Sequence, residues 1–445
     1  MNVNSETNQS PKWRYALLFG IACLPFIWNL WTERYFSADG AGYFRSLIES
    51  AWFQDFAWSR NHAAYLSQWP IVLGVNAGIT DYHSLKILFG LGLFFPCIAA
   101  FILCWIFVEK KDEPLLLMPT FSVLSLTLAG DSIMTGEHHL LVYIVWPILI
   151  LLLRNRAFGL ISGTVLVLLM VLHLRLYESA LTTGSLMIAI IGFRMFFGTD
   201  AGGKQRRLHW LLLLLAISSV LIAGHAVIFP RDPTNKGHFL AAMFVSLGSQ
   251  TFITSVTFIL PAIIGLIAGR VKWIWAGLLG FIALSTIWLA TGQQTYASIS
   301  FASRALTLWY LPLIMFLTVG LKACRQRLTN KEWLPICIFV SLASALYVSS
   351  SRGWLDFRNQ FKSELQSNNG FIHVEDTQIY HHPQRWGWTS AMLSYYWSDG
   401  DIKTIILNSK ETEWEPFPPQ KVRILKTVFK MHEDLESQIE PQDSY

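Results

Sequence analysis

The run LKILFGLGLFFPCIAAFILCWIFV at residues 85–108 decides the fold class of this chain. Its one charged residue, Lys86, lies next to its start, and the run is long enough to cross about 30 Å of bilayer hydrocarbon. Similar apolar runs recur through the first 350 residues and predict about eleven transmembrane helices. They lie at 15–32, 85–108, 114–130, 139–153, 157–173, 178–197, 208–229, 250–268, 272–291, 305–323 and 332–350.

The composition agrees with a membrane protein. Of the 445 residues, 53% are hydrophobic and only 14% are charged, whereas an ordinary globular domain has about 25% charged residues. Too few polar side chains remain to cover a water-facing surface, which excludes a soluble enzyme, a disordered hub and a fibrous protein. The net charge of +5 is small, and positive charge beside membrane spans has its own cause, so no nucleic-acid partner is expected.

The positions of the charges predict an orientation. With the N-terminus inside, sixteen Lys and Arg residues fall in inner connections and eight in outer ones, which agrees with the enrichment of positive residues on the inner side. An odd number of spans then places the C-terminus outside. Of the twelve histidines, only His209 falls at the inner face. No Asp, Glu, Lys or Arg falls deep in a span, which argues against an ion-coupled transporter. We therefore expect the polar chemistry at the outer face.

Residues 1–350 are predicted to form the membrane domain, which has a long first outer loop at 33–86. Within this loop, residues 41–52 have the pattern of an amphipathic helix in the headgroup plane, with Arg45 and Glu49 paired on its polar face. The apolar piece at 69–79 is too short to span, so it is expected to pack against the bundle.

The composition changes after about residue 350, where charged residues return. Residues 351–445 are predicted to form a small α+β lobe outside the membrane that ends in a polar tail. An amphipathic helix carries Trp354, Phe357 and Phe361, and strands are expected at 371–374 and 403–407. The predicted fold class is therefore an all-α polytopic membrane protein with a small extracytoplasmic C-terminal lobe.

Two outer motifs contain carboxylates. Asp39 follows the first span in FSADGAGY (36–43), where it is either a general base or metal ligand, or the cap of the next helix. Glu137, His138 and His139 lie in the second outer connection after Asp131. They suit a divalent cation or a diphosphate, or else a polar turn that opens the next span.

The remaining outer motifs contain cations. Arg175 and Glu178 lie between two apolar runs, where Arg175 is suited to bind phosphate, or else pairs with Glu178 to close a helical hairpin. Arg231, Lys236 and Arg304 lie on the outer side against the orientation bias. Binding a lipid-linked phosphate explains their position, and pairing with lipid headgroups is the alternative.

The layout resembles the C-type membrane glycosyltransferases, which include oligosaccharyltransferase catalytic subunits, protein mannosyltransferases and bacterial lipid-A sugar transferases. In that superfamily the first span leads into a long outer loop with an interfacial helix and an essential acid near its start. Asp39 matches that position, and Glu137 or Asp131 could match the acid of the next outer loop. Glu178 joins the candidate catalytic set, and His138, His139, Arg175, Arg231, Lys236 and Arg304 join the candidate donor-binding set.

The resemblance implies a glycosyltransferase of a bacterial-type inner membrane with an extracytoplasmic active face. Its donor would be a sugar on a polyprenyl phosphate, and its acceptor an envelope glycan, lipid or protein. Mg²⁺ or Mn²⁺ is a possible cofactor, with Asp39, Glu137 and His138 as candidate ligands. The rival hypotheses are a polysaccharide polymerase or ligase, a lipid flippase and a transporter.

Overall fold

The structure is a computed structural model that describes most of the membrane part and much of the lobe. The described residues are 12–37, 40–54, 58–127, 137–197, 203–230, 260–265, 267–270, 272–277, 279–280, 283, 296–324, 330–382, 385, 389–398 and 403–407. In chain order the helices are α1 (Trp13–Trp31), α2 (Gly40–Ser50), α3 (Asn61–Asn76), α4 (Tyr82–Phe107), α5 (Leu117–Ser122), α6 (Glu137–Leu152), α7 (Leu160–His173), α8 (Ala180–Phe197), α9 (Gly203–Ile228), α10 (Tyr296–Cys324), α11 (Asn330–Ser350), α12 (Arg352–Ser367) and α13 (Ser390–Trp397). The strands are β1 (Gly370–His373) and β2 (Thr404–Leu407).

Helices α1 and α4 run antiparallel, as their contacts along the whole length of α1 show. Phe19 stacks on Phe101 with ring centroids 3.9 Å apart, and Phe26 lies 5.4 Å from Phe94. At one end the Lys12 Nζ donates to the carbonyl of Trp105, and at the other Lys86 pairs with Glu33. We call these two ends of the bundle the Lys12 end and the Glu33 end.

Contacts between other helices assign their termini to the same two ends. At the Lys12 end, Tyr15 lies against Trp333, and Trp333 is near the start of α11. Within the described chain, further contacts join Arg194 to Leu152, Lys322 to Asp112 and Gln205 to Phe158. Helices α6 and α8 both end at these contacts, and α9 begins at them. Successive helices from α6 to α9 therefore alternate in direction.

Five helices are long and apolar enough to cross a membrane, by length and composition alone. They lie at Trp13–Trp31, Tyr82–Phe107, Ala180–Phe197, Gly203–Ile228 and Trp333–Ser367, among the residues that the structure describes. Helices α6 and α7 are shorter but separate, as the sequence predicts. Much of the predicted spans at 250–268 and 272–291 lies outside the described residues, so the count of eleven stays a prediction.

Two exposed tryptophans mark the ends of α1. Trp13 is 57% exposed and Trp31 is 64% exposed, at the Lys12 end and the Glu33 end respectively. The 18 residue steps between them, at 1.5 Å each, span about 27 Å, which is close to the hydrocarbon thickness of a bilayer. Tryptophan is enriched at both membrane–water interfaces, so this spacing supports the membrane character of the chain.

The first connection contains two helices. Helix α2 confirms the predicted helix at 41–52 with slightly shifted bounds, and its Arg45–Glu49 pair is present at 2.7 Å. The helix is held by protein contacts as well, because its apolar stripe is buried against α3 and α13. The apolar piece at 69–79 belongs to the longer helix α3, which packs against α4 as expected.

The packing of α3 on α4 depends on a glycine. A Cβ atom at Gly92 would lie far inside van der Waals distance of the Ser67 carbonyl oxygen and close to Pro70. Small residues of this kind let helix backbones approach closely in membrane proteins.

We expect Gly92→Ala to lower the free energy of unfolding by about 2 kcal/mol or more, because the α3 backbone has to move away. Gly20→Ala in α1 is the matched control, since a Cβ atom there meets no atom within 4 Å. Thermal unfolding in detergent compares the two. Equal melting temperatures for both variants would contradict this packing argument.

The C-terminal lobe is a small α+β unit in its described part. Strands β1 and β2 pair in parallel, with Gly370 opposite Thr404 and His373 opposite Leu407, which confirms both predicted strands. Trp354, Phe357 and Phe361 are buried on α12, which confirms the predicted apolar stripe. Helix α13 packs on β2 and supplies the buried Trp397, and the sequence analysis did not predict this helix.

One histidine of the lobe makes its stability depend on pH. His382 lies against Phe357 with ring centroids 5.1 Å apart, and burial lowers its pKa while Asp356 opposes the shift. As the pH falls, His382 therefore binds a proton at a higher pH in the unfolded chain than in the folded chain. The free energy of unfolding is not reduced by this group above about pH 6.5, and it decreases as the pH drops below that value.

We expect amide hydrogen exchange in α12 to speed up between about pH 7.5 and about pH 5.5, after correction for intrinsic rates. His382→Gln should reduce this dependence. His381→Gln, which changes the exposed neighbouring histidine, should not. A wild-type pH dependence in His382→Gln would show that another group is responsible.

Candidate functional site at the Glu33 end

A buried carboxylate lies where the first span, the fourth helix and the lobe meet. Glu33 is 9% exposed, and its Oε1 accepts from the Lys86 Nζ at 2.5 Å. Its Oε2 accepts from the Trp397 Nε1 at 3.0 Å and lies 3.5 Å from the Arg358 Nε. We call Glu33, Lys86, Arg358 and Trp397 the Glu33 junction.

Three further hydrogen bonds hold the lobe to the first connection. The Trp354 Nε1 donates to the Thr32 carbonyl at 3.0 Å, and Arg358 donates to the carbonyl that precedes Thr32 at 3.2 Å. The Tyr396 hydroxyl donates to the Ala41 carbonyl at 2.8 Å. Since these carbonyls lie at the end of α1 and the start of α2, the lobe holds both ends of the intervening segment.

The backbone and charges at this point show why the carboxylate is needed. Glu33 has φ 58°, in the left-handed region, so the chain turns sharply as it leaves α1. Lys86 and Arg358 place two cations beside it, and a buried charge is tolerated only when it is paired and hydrogen-bonded. Burial and the nearby Glu33 raise the pKa of Tyr35 well above its usual value, so its phenol stays neutral.

The junction lies next to the segment that carries the main predicted acid. Asp39 itself lies outside the described residues, but Ser37 and Gly40 on either side are buried. The Gly40 amide donates to the Ser37 carbonyl at 3.1 Å, and Gly40 is the first residue of α2. The carboxylate predicted as the base is therefore bracketed by residues that the lobe and α1 hold in place.

A second polar cluster joins the first connection to the turn between α7 and α8. The Arg60 Nε donates to both oxygens of Glu178, at 2.9 and 3.2 Å, and Ser59 donates to the same carboxylate at 3.3 Å. The Arg60 guanidinium also stacks on Tyr177, 4.7 Å from its ring centroid. The pairing of Arg175 with Glu178, one of the two alternatives from sequence, is therefore wrong, because Arg60 takes that place.

Arg175 lies over an aromatic ring instead. Its Cζ lies 5.5 Å from the ring centroid of Trp58, and the His225 ring approaches the same indole edge-on at 5.4 Å. The backbone of Arg175 is fixed by the His62 amide, which donates to its carbonyl at 3.2 Å. We call Trp58, Arg175 and His225 the Trp58 cluster.

The predicted histidine pair lies beside this region. His138 and His139 are both buried, and their rings lie 3.9 Å apart. His138 is also 5.6 Å from the ring of Tyr177, which precedes Glu178. Of the predicted site residues, His138, His139, Arg175 and Glu178 are thus brought close together. Glu137 begins α6, but its side chain is not described.

The other predicted site residues cannot be placed in the same way. Asp131, Arg231 and Lys236 lie outside the described residues, and Arg304 is described only as backbone within α10. Among the described residues, no group of three His, Cys, Asp or Glu side chains is arranged to hold a metal ion. Because Asp39 and Glu137 are not described as side chains, the predicted cation site stays a prediction.

Sequence reasoning missed the residues that organise both clusters. Glu33 and Lys86 are charges at the ends of two apolar runs, and nothing in the local sequence pairs them. Arg60 pairs with Glu178, and Trp58 lies against Arg175. Both partners are distant in sequence, so no local pattern predicts either contact.

No family model matches the chain, and neither the curated proteins nor the solved structures contain a significant match to it.

We expect Glu33→Gln to lower the free energy that separates the lobe from the helical bundle by about 3 kcal/mol, because Lys86 loses its buried countercharge. Glu49→Gln is the matched control, since its i,i+4 pair with Arg45 is worth less than about 1 kcal/mol. Limited proteolysis of the lobe at graded denaturant concentrations measures the difference. Wild-type resistance in Glu33→Gln would contradict the junction's role.

Proposed function

We propose that this protein is an integral membrane glycosyltransferase that moves a sugar from a polyprenyl-phosphate donor to an envelope acceptor. The single observation that carries the proposal is the Glu33 junction. The lobe holds the first connection at Glu33 through this junction and at the Ala41 carbonyl through Tyr396, and the proposed base Asp39 lies between these two points in the sequence. The membrane would be a bacterial-type inner membrane, with the Glu33 end outside.

The distribution of charge supports this orientation. At the Lys12 end, cations occur in almost every connection, including Lys110, Lys111, Arg154, Arg156 and Arg194. Positive residues are enriched on the cytoplasmic side of membrane proteins, which favours the opposite end for extracytoplasmic chemistry.

The proposed reaction requires one base and one stabilised leaving group. Asp39 takes the proton of the acceptor hydroxyl while the hydroxyl oxygen attacks C1 of the sugar. The bond between C1 and the phosphate oxygen breaks, the anomeric centre is inverted, and polyprenyl phosphate leaves with the bonding electron pair. A cation near the phosphate stabilises its growing charge, and the protein otherwise acts by positioning the reactants.

The roles proposed for Glu178 and Arg175 therefore differ. Glu178 is a candidate catalytic residue from the sequence, but both of its oxygens accept from Arg60, so its proposed role is to position its neighbours. Arg175 keeps its proposed role as a phosphate contact. A divalent cation, if one binds, would neutralise charge on the same phosphate.

The proposal predicts that Asp39→Asn reduces turnover by about 100-fold or more, since a positioned base typically contributes that much. Purified protein in vesicles is supplied with a panel of sugar-loaded polyprenyl phosphates, and the release of polyprenyl phosphate is measured. Asp81→Asn is the control, because Asp81 is an exposed helix cap that accepts from the Ser84 amide and Asn caps equally well.

Wild-type release by Asp39→Asn, with normal insertion, would contradict the proposed mechanism. Failure of the wild-type protein to release polyprenyl phosphate from any donor, while it moves the intact lipid across the bilayer, would favour a flippase.

A further inference from the structure

We propose that the Trp58 cluster is a binding site for a phosphomonoester, with Arg175 as the main phosphate ligand. The inference rests on the proposed function only in naming the phosphate of a lipid as the expected source. The site itself is argued from the contacts around Arg175, and it includes Trp58 and His225, which the sequence analysis did not select.

The first step is that the carboxylate closest to Arg175 in the sequence already has other partners. Glu178, three residues from Arg175, accepts two hydrogen bonds from the Arg60 Nε and one from Ser59. Within the described part of the chain, Arg175 makes no ion pair, and its described side-chain contact is with the Trp58 ring. The cation is thus held beside an indole with its N–H groups available to an anion.

The second step is that the guanidinium is pre-positioned. Arg175 is half-buried, its carbonyl is fixed by the His62 amide, and its guanidinium rests on the indole of Trp58. Stacking on an aromatic face is compatible with bidentate binding, because the N–H groups of the guanidinium point outward in its plane. A pre-positioned arginine loses less side-chain entropy when it binds.

The third step is that a second nitrogen donor lies on the same ring. His225 is exposed, lies at the Glu33 end of α9 and meets the edge of Trp58 at 5.4 Å. Arg175 and His225 therefore both contact the Trp58 ring. The guanidinium and the imidazole both carry N–H groups, which suit the three acceptor oxygens of a phosphomonoester.

The location indicates which phosphate would bind. Trp58 and Arg175 lie at the Glu33 end of an apolar bundle, and α3, which begins three residues after Trp58, exposes Tyr65, Trp69 and Leu73. These three side chains follow at intervals of four residues, so they form one exposed apolar face. A phosphate bound at the cluster would therefore have an apolar helix face beside it for a hydrocarbon chain.

The site assigns a distinct role to the Arg60–Glu178 pair. It joins the turn that carries Trp58 to the turn that carries Arg175, and it neutralises the Glu178 carboxylate, which would otherwise repel an anion. We treat Glu178 as a positioning residue, because it acts on the ligand only through these neighbours.

The test measures binding without turnover. Radiolabelled farnesyl phosphate is bound to purified full-length protein in detergent, with unlabelled farnesol and inorganic phosphate as competitors. Arg175→Gln should weaken farnesyl phosphate binding by about tenfold or more, the loss of a bidentate charged contact. His225→Gln should weaken it less, and Arg175→Lys should fall between Arg175→Gln and the wild type.

The control is Arg194→Gln, which changes a cation at the opposite end that donates to the Leu152 carbonyl. It should bind farnesyl phosphate as the wild type does. Size-exclusion profiles confirm that each variant is folded. If Arg175→Gln fails this check, the Arg175→Lys variant decides the question, because a lysine cannot reproduce the bidentate geometry.

The competitors separate the two sources of phosphate. Competition by inorganic phosphate as strong as that by unlabelled farnesyl phosphate identifies a free-phosphate site and overturns the lipid source. Two results overturn the site. One is wild-type affinity for farnesyl phosphate in folded Arg175→Gln or Arg175→Lys. The other is that farnesol, which has no phosphate, competes as well as unlabelled farnesyl phosphate does. Loss of binding in Arg175→Gln without sugar transfer by the wild type would leave the phosphate site in place and remove the transferase.

Discussion

The arrangement at the Glu33 end depends on one buried carboxylate. Glu33 leaves α1 in a left-handed conformation and meets a lysine from α4, an arginine from α12 and an indole from α13. Desolvating such a charge is expensive unless every partner is present. The four elements therefore have one favourable relative position, and the lobe is held on the bundle by a charge as well as by apolar contact.

This constraint has a consequence for the site. The aromatic side chains beside the junction fill the space between α1, α2 and the lobe, and Phe36 stacks on Tyr396 with centroids 4.9 Å apart. Because Tyr396 also donates to the start of α2, the segment around Asp39 has fixed neighbours on both sides. A base that acts on a hydroxyl requires such fixed positioning, which is why the junction supports the proposed chemistry.

Much of the fold was predictable because its patterns are local. Apolar runs gave α1, α4, α8, α9 and α11 nearly at their observed bounds, and the stripe of Trp354, Phe357 and Phe361 gave α12. The i,i+4 pair of Arg45 and Glu49 was predicted from spacing alone. Helix α13 is not predicted because its eight residues, SAMLSYYW, are too few to show a clear helical period, and its helical form is decided by packing against β2 and α2.

The candidate site was less predictable, because its pairs are distant in sequence. Glu178 was expected to act on substrate or to pair with Arg175, yet it pairs with Arg60, 118 residues away. Local spacing favoured the i,i+3 partner, but the packing of the first connection brings a better donor to the same carboxylate. The residues of the Glu33 junction were likewise visible as isolated charges whose pairing only the folded chain reveals.

The central claim, that the Glu33 carboxylate holds the lobe on the first connection, is tested most directly by a distance measurement between the two. The five native cysteines are replaced, and spin labels are attached to new cysteines at the exposed positions Thr80 and Ser363. The distribution of distances between the two labels is measured by pulsed electron paramagnetic resonance. We predict one narrow distance in the otherwise unchanged chain and a broad, longer distribution after Glu33→Gln. The same narrow distribution in both chains would contradict the account.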